Sequence, residues 1–236
     1  MSSLLPLRRS AKLQTTADIV FCIDSTGSMI PCIKQIKEGL VTFVHSVQSA
    51  AEVDFRIRLI AYRDLHDPSA QNDRKWFAGE FTPSADIFQA ELSAIVADGG
   101  GDHRGGESTL DALYMAVHSA WRSNVHKSIV VVTDDDTHPT LHPSTYNLPD
   151  NDSFRVIQDL QTLANAMLFL VVPRCPLYQQ MEQAMNFADR KVFAYYIPYD
   201  DSRYADLNAL DWQPLLKMIG ETISRASHVT SPGRTA

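Results

Sequence analysis

The sequence predicts an α/β protein, a mainly parallel central sheet with helices on both faces. Three observations carry this. Apolar, β-branched runs alternate along the chain with segments of helical spacing, the order that builds parallel sheets from crossover units. Two of the runs, "IVFCI" (19–23) and "IVVV" (129–132), are greasy at every position, as strands buried on both faces are. Acids and hydroxyls then collect directly after those runs. In open α/β sheets ligand sites lie off the carboxyl ends of the strands.

Each element has its own warrant. Residues 17–24 form the first buried strand. From Met29 to Gln48, Ile33, Ile36, Leu40, Phe43, Val44 and Val47 recur at helical spacing, with Ser28 as a cap and Pro31 in the first turn, where a missing N–H costs nothing. In "VDFRIRLIAY" (53–62) Phe55, Ile57 and Leu59 share one face and Arg56 and Arg58 the other, a half-buried strand. "WFAGEF" (76–81) reads as a short edge strand. Thr82 and Pro83 open a helix carrying Ile87, Phe88, Leu92 and Ile95. The glycine-rich "DGGGDHRGGE" (98–107) leads into a helix with Leu110, Leu113, Val117 and Trp121 on one side. A buried strand over 128–136 follows, then a polar loop with Pro139, Pro143 and Pro149. After that come a helix to Asn165, a strand over 166–172, a helix, a short strand at 192–195 and a final helix from Leu207 to Arg225. The expected division is an N-terminal extension over 1–16, one domain over 17–226 and a flexible tail over 227–236.

Bulk properties narrow the function. A length of 236 residues with 44% hydrophobic content suits a well-cored globular domain rather than a disordered chain. The net charge of -7 argues against affinity for nucleic acid or anionic membrane. The three cysteines, Cys22, Cys32 and Cys175, have no framework spacing and read as reduced thiols. No run approaches the roughly 18 apolar residues of a membrane span, and the start "MSSLLPLRRSAK" lacks a secretory signal's charge order. The expectation is a cytoplasmic protein.

The segment "DIVFCIDSTGSM" (18–29) poses the functional question, because a buried strand runs straight into Asp24, Ser25, Thr26, Gly27 and Ser28. Asp24, Thr26 and Ser28 fall at i, i+2 and i+4 on one tight loop, a half-shell of hard oxygen donors. Mg²⁺ takes octahedral oxygen and keeps several waters, so a few protein ligands from separate loops suffice. Mn²⁺ and Ca²⁺ accept the same donors.

"DSTGSM" after an apolar strand resembles the metal-ion-dependent adhesion site of von Willebrand factor type A domains, D-x-[ST]-x-S, and the likeness extends from about residue 17 to 226. It implies a Rossmann-like fold, a divalent cation held by three loops, and a protein partner whose acidic side chain completes the cation's shell. It assigns Asp134, in "VVVTDD", to the third loop and Glu107 to the second, where adhesion receptors carry threonine. "YRD" (62–64), "GGGDHRGGE" (99–107) and "TDDDTHP" (133–139) are similar instead to an intracellular branch found attached to or beside protein kinases. That likeness implies a regulatory or assembly role and kinase, phosphatase or ATPase components as partners. Glu107 adds negative charge, which tightens cation binding and lowers dependence on an acidic partner. Asp102 competes with Glu107 for the second-loop role.

Other readings have less behind them. Haloacid dehalogenase-like phosphatases begin D-x-D, but Thr26 stands where their general acid would be, so a Mg²⁺-dependent hydrolase using Asp24 is the weaker alternative. A scaffold with a vestigial site is a third. Zinc at His138 and His142 lacks a full set of nitrogen or sulfur ligands, and the glycine run matches no phosphate-binding fingerprint. Arg63 and Asp64 read as a strand-end charge pair.

Overall fold

The computed structural model describes residues 15–49, 53–67, 76–99, 106–185, 191–197, 207 and 210–229. The strands are β1 (Thr15–Asp24), β2 (Val53–Tyr62), β3 (Trp76–Ala78), β4 (His126–Val132), β5 (Ala166–Pro173) and β6 (Lys191–Ile197). The helices are α1 (Ile30–Ser49), α2 (Ala85–Ala94), α3 (Thr109–Val117), α4 (Ser153–Thr162), α5 (Pro176–Met185) and α6 (Trp212–Val229). One six-stranded sheet runs in the order β3-β2-β1-β4-β5-β6, all parallel except β3, which pairs antiparallel with β2 at the edge.

The two central strands are the two continuous apolar runs, as burial on both faces requires. Alternation along β1 divides the core. Ile19, Phe21 and Ile23 pack with Ile36, Leu40 and Phe43 of α1, Phe88 of α2 and Leu216 and Ile219 of α6. Val20 and Cys22 point the other way, toward Leu110 and Leu113 of α3, Val156 and Leu160 of α4 and Tyr178 of α5. Helices α1, α2 and α6 therefore cover one face and α3, α4 and α5 the other. The strand order reverses between β1 and β4, so the crevice at their carboxyl ends is the topological switch point.

The structure corrects several element readings. A 3-10 turn over Gly27–Met29 precedes α1, and its N-cap residue Thr26 makes no capping side-chain bond. Ser28 is thus not a helix cap, because its hydroxyl faces Asp134. Strand β4 stops at Val132, where the chain turns into the site, and does not reach Asp136. Phe88, Leu92 and Ile95 of the expected α2 face are buried, and only Ile87, 53% exposed, turns outward. Trp121 lies beyond α3, its indole N–H bonded to the carbonyls of Ala116 and Val117. Helix α6 begins at Trp212 and continues to Val229, past the expected start of the tail. The expected extension 1–16 lies outside the described residues up to position 14, and the tail from 230 onward.

Candidate functional site

Asp24 is the last residue of β1 and Thr133 follows β4, so the two sit side by side at the switch point. The Thr133 hydroxyl donates to Asp24 Oδ2 at 2.7 Å. The other carboxylate oxygen, Oδ1, accepts from the Thr26 backbone N–H and the Thr26 hydroxyl, both at 2.8 Å. Thr26 Oγ1 lies 3.0 Å from Ser28 Oγ, and Ser28 Oγ 3.0 Å from Asp134 Oδ1. Asp24, Thr26, Ser28 and Asp134 therefore form one continuous chain of oxygens, joining loops that are more than a hundred residues apart in sequence.

A hydroxyl has one proton to donate and an ionised carboxylate has none. Three contacts link four side chains, yet Thr26 and Ser28 together supply only two protons. With both carboxylates ionised, one contact sets lone pair against lone pair. The set closes with an added proton or with a cation in its place.

Glu107 reaches the same crevice from the loop before α3. Its backbone bridges in parallel to Thr137, with Glu107 N–H to Asp136 O at 2.8 Å and His138 N–H to Glu107 O at 3.1 Å. The residue is 2% exposed, and its Oε2 is buried with no hydrogen-bond partner. A buried carboxylate oxygen without a partner is costly. Burial first, and then Asp24, Asp64, Asp135 and Asp134, push the Glu107 carboxyl far above its ordinary value. Asp134 is raised to about 7 by burial and then by Asp24, and Asp24 to about 6 mainly by burial.

These residues fit a hard divalent cation. They are acid and hydroxyl oxygens, they carry excess negative charge, and one buried oxygen is unspent. Among the described residues no three His, Cys, Asp or Glu side chains are grouped to hold a metal by themselves. A cation here would therefore draw on the hydroxyls of Thr26 and Ser28 as well as on carboxylates.

Gly106 holds the second loop in place. Its φ is +100°, a conformation glycine tolerates, and an added Cβ would sit 2.8 Å from Asp136 O and from the Thr137 carbonyl carbon. Gly106→Ala should cost about 1–3 kcal/mol and push Glu107 out of register with Thr137. A urea midpoint equal to wild type would show that the loop relaxes freely.

Of the residues singled out in the sequence, Asp24, Thr26, Ser28 and Asp134 are brought into contact and Glu107 into the same charged cluster. Asp102 lies outside the described residues. Thr133, which clamps Asp24, was missed, although its place between a buried strand and two acids was a signal for it. Arg63 and Asp64 do not pair. Arg63 donates to Val96 O at 2.8 Å, and Asp64 accepts from the His66 N–H and faces His138 Nε2 at 2.9 Å. His142 is turned to Ser144, with Nδ1 2.7 Å from its hydroxyl.

A doubly covered, mostly parallel sheet with an acid–hydroxyl site at its switch point defines a class of α/β binding domain. The family model described as von Willebrand factor A domain matches residues 18–145, and the chain belongs to that family. Among curated proteins it is 27% identical over 146 residues to the alpha-protein kinase vwkA of Dictyostelium discoideum, an alignment covering 61% of this chain. It spans only 22% of that kinase's length. Among solved structures, the vWF domain of the type V pili tip protein Mfa5 from Porphyromonas gingivalis aligns over 95% of this chain and 99% of its own, with TM-score 0.54 and 13% identity. A von Willebrand factor type A protein from Catenulispora acidiphila aligns over 90% of this chain and 43% of its own, with TM-score 0.51 and 14% identity. At such identities the structures share the fold. Among the described residues no helix is long and apolar enough to cross a membrane.

Proposed function

We propose that this chain is a protein-binding module that docks its partner through a divalent cation, Mg²⁺ by preference, at the carboxyl ends of β1 and β4. Asp24, Thr26, Ser28, Glu107 and Asp134 would hold the ion. The observation that carries the reading is the oxygen chain from Asp24 to Asp134, one proton short, beside the unpartnered Glu107 Oε2. When bound, the cation supplies a positive centre for an oxygen ligand of the partner. Asp24 is held from both sides by Thr26 and Thr133, which fixes its carboxylate before any ion arrives. Three nearby carboxylates exceed the charge of a divalent ion, so the partner's ligand need not be acidic, and a neutral or water-bridged group also suits. The residue two after Asp24 is a threonine bonded to it, where a D-x-D hydrolase would carry its general acid. Binding is accordingly favoured over hydrolysis. The likeness to a segment of an alpha-protein kinase supports a cytoplasmic, regulatory role with kinase, phosphatase or ATPase components as partners.

Two measurements test this. Capture of a partner from the native cell should succeed in Mg²⁺ and fail in EDTA. Mg²⁺ should also raise the melting temperature of protein first stripped with chelator, since an ion at a hundred times its Kd adds about 2.7 kcal/mol to the native state.

The second effect should depend on pH in a defined direction. Asp24 and Asp134 have raised values in the folded protein, so between about pH 4 and 7 the native state holds more protons than the unfolded chain, and metal-free stability falls as pH rises. A cation must displace those protons. The Mg²⁺-induced shift should therefore grow from pH 5.5 to pH 7.5. A shift that is absent at both, or constant between them, would count against the site.

A further inference from the structure

With a divalent ion in place, the candidate crevice still carries surplus negative charge. The carboxylates of Asp24, Glu107 and Asp134 exceed such an ion by one charge. Asp135 and Asp136, next in the third loop, add two more, and both are partly exposed. The Asp136 carboxylate is occupied, since Oδ1 accepts from the Thr137 N–H at 2.8 Å and the Cys175 thiol bonds to it as well. Asp135 keeps an oxygen to spare. Its Oδ1 accepts from the Asp136 N–H at 2.7 Å, and no described residue donates to Oδ2. That oxygen is open to solvent, unlike the buried, unpartnered Oε2 of Glu107 in the same cluster. Opposite charge is scarce among the described residues. His138 is held by Asp64 at 2.9 Å. Arg63 and Lys37 are turned to backbone carbonyls at the end of α2, Arg63 to Val96 O and Lys37 to Ser93 O and Ile95 O. Outside the described residues, Asp102 and Arg104 of the second loop cancel in formal charge.

Charge complementarity then selects the partner. An acidic side chain on the ion would bring one more negative charge to a crevice already negative, and like charges across an interface oppose binding. A neutral oxygen on the ion brings none, and a cation on Asp135 offsets the surplus. We infer that the partner is a protein that docks with a basic segment, placing a neutral oxygen (a hydroxyl or a backbone carbonyl) on the ion and a lysine or arginine side chain on Asp135 Oδ2. Such docking rests on the cation reading above and adds the chemistry of the partner. The bond from a charged donor to a carboxylate is shorter and stronger than a neutral one. A basic segment is also drawn to the crevice before contact, so its association should slow as salt rises.

The test selects a displayed library of random short peptides on the full chain in Mg²⁺. Selected peptides should be rich in lysine or arginine and poor in aspartate and glutamate, and EDTA should release them. Asp135→Asn keeps an acceptor for the Asp136 N–H and should weaken the leading peptide about tenfold. Replacing that peptide's basic residue by norleucine should weaken it as much, and wild type and Asp135→Asn should then bind it equally. The chain's net charge of -7 attracts basic peptides generally. Glu221→Gln, which removes an exposed acid of α6, controls for this and should leave affinity unchanged. Should Asp135→Asn fail to fold, the norleucine peptide decides. The Mg²⁺-induced rise in melting temperature is read on the same protein. No rise would sink the cation reading and the basic partner with it. A rise with selected peptides that are acidic, neutral or absent, or equal weakening by Asp135→Asn and Glu221→Gln, would overturn the basic partner alone.

Discussion

Asp18→Ala should unfold far more easily than wild type while leaving the candidate cation site intact. Asp18 lies near the start of β1, six residues before Asp24, and at about 3.3 Å per residue the two are roughly 20 Å apart. Its side chain is fully buried and surrounded by donors. Arg56 reaches it through Nε at 3.1 Å and a terminal nitrogen at 2.6 Å, and Arg122 through its backbone N–H at 2.9 Å and Nε at 2.8 Å. Arg122 also binds Asp54 at 2.7 Å, so one carboxylate ties the starts of β1 and β2 to the segment before β4. Removing it leaves two guanidiniums facing an apolar gap. Breaking a buried pair costs about 3–5 kcal/mol. The arginine side chains remain 25% and 27% exposed and keep some water, which places the cost near the low end, about 3 kcal/mol. At this chain length that corresponds to a fall in melting temperature of about 6–12 °C. Asp18→Asn, which keeps an acceptor, should fall between. Burial acts to raise the Asp18 carboxyl, but its bonds to Arg56 and Arg122 outweigh burial and hold it below 3.8. Its contribution is thus present above pH 4 and lost as pH falls through that lowered value, so wild type and Asp18→Ala should converge in acid. A melting temperature unchanged at pH 7 would mean that the arginines find other partners at no cost.

The readable and unreadable parts of this protein divide along physical lines. Periodicity reports burial, so β1, β2 and the order of strands and helices were legible, and β2 was placed at its observed bounds, Val53–Tyr62. The four residues Asp24, Thr26, Ser28 and Asp134 were legible because the donors follow apolar strands, and strand ends converge in this architecture. What periodicity does not report is where a side chain turns when its backbone leaves the ladder. Ser28 has the chemistry of a helix cap, and only the neighbouring third loop turns it toward Asp134. The Asp18 cluster was equally hidden, since its two partners, Arg56 and Arg122, come from other segments. An acid at the head of an apolar strand looks like a boundary residue until Arg122 is folded over it. Arg63 shows the same limit. Adjacent opposite charges in "YRD" imply a pair, but consecutive residues leaving a strand point in opposite directions, and the guanidinium goes to Val96.

Glu107→Gln should stabilise the metal-free protein and abolish most of its response to Mg²⁺, two effects of opposite sign from one atom. Glu107 is buried among Asp24, Asp64, Asp134 and Asp135, and its carboxyl is held well above the ordinary 4.5. In the unfolded chain at pH 7 it is ionised. Folding without a cation must either bind a proton or bury a charge among like charges. A raised carboxylate subtracts from stability at every pH above its unfolded value, and each unit of separation up to the working pH is worth about 1.4 kcal/mol. Glutamine has nearly the same shape and no charge to neutralise. Metal-free Glu107→Gln should therefore gain about 3–4 kcal/mol at pH 7, or about 6–16 °C, and the gain should fade near pH 4.5, where the unfolded glutamate is itself half protonated. With Mg²⁺ the order reverses. Wild type exchanges its protons for the ion, whereas the variant offers a neutral amide oxygen and a weaker field. The Mg²⁺-induced rise should shrink severalfold, and titration calorimetry at two pH values should show fewer protons released per ion bound. A variant less stable than wild type without metal, yet with the same Mg²⁺ response, would make Glu107 a structural residue of the loop and leave the cation to Asp24, Thr26, Ser28 and Asp134 alone.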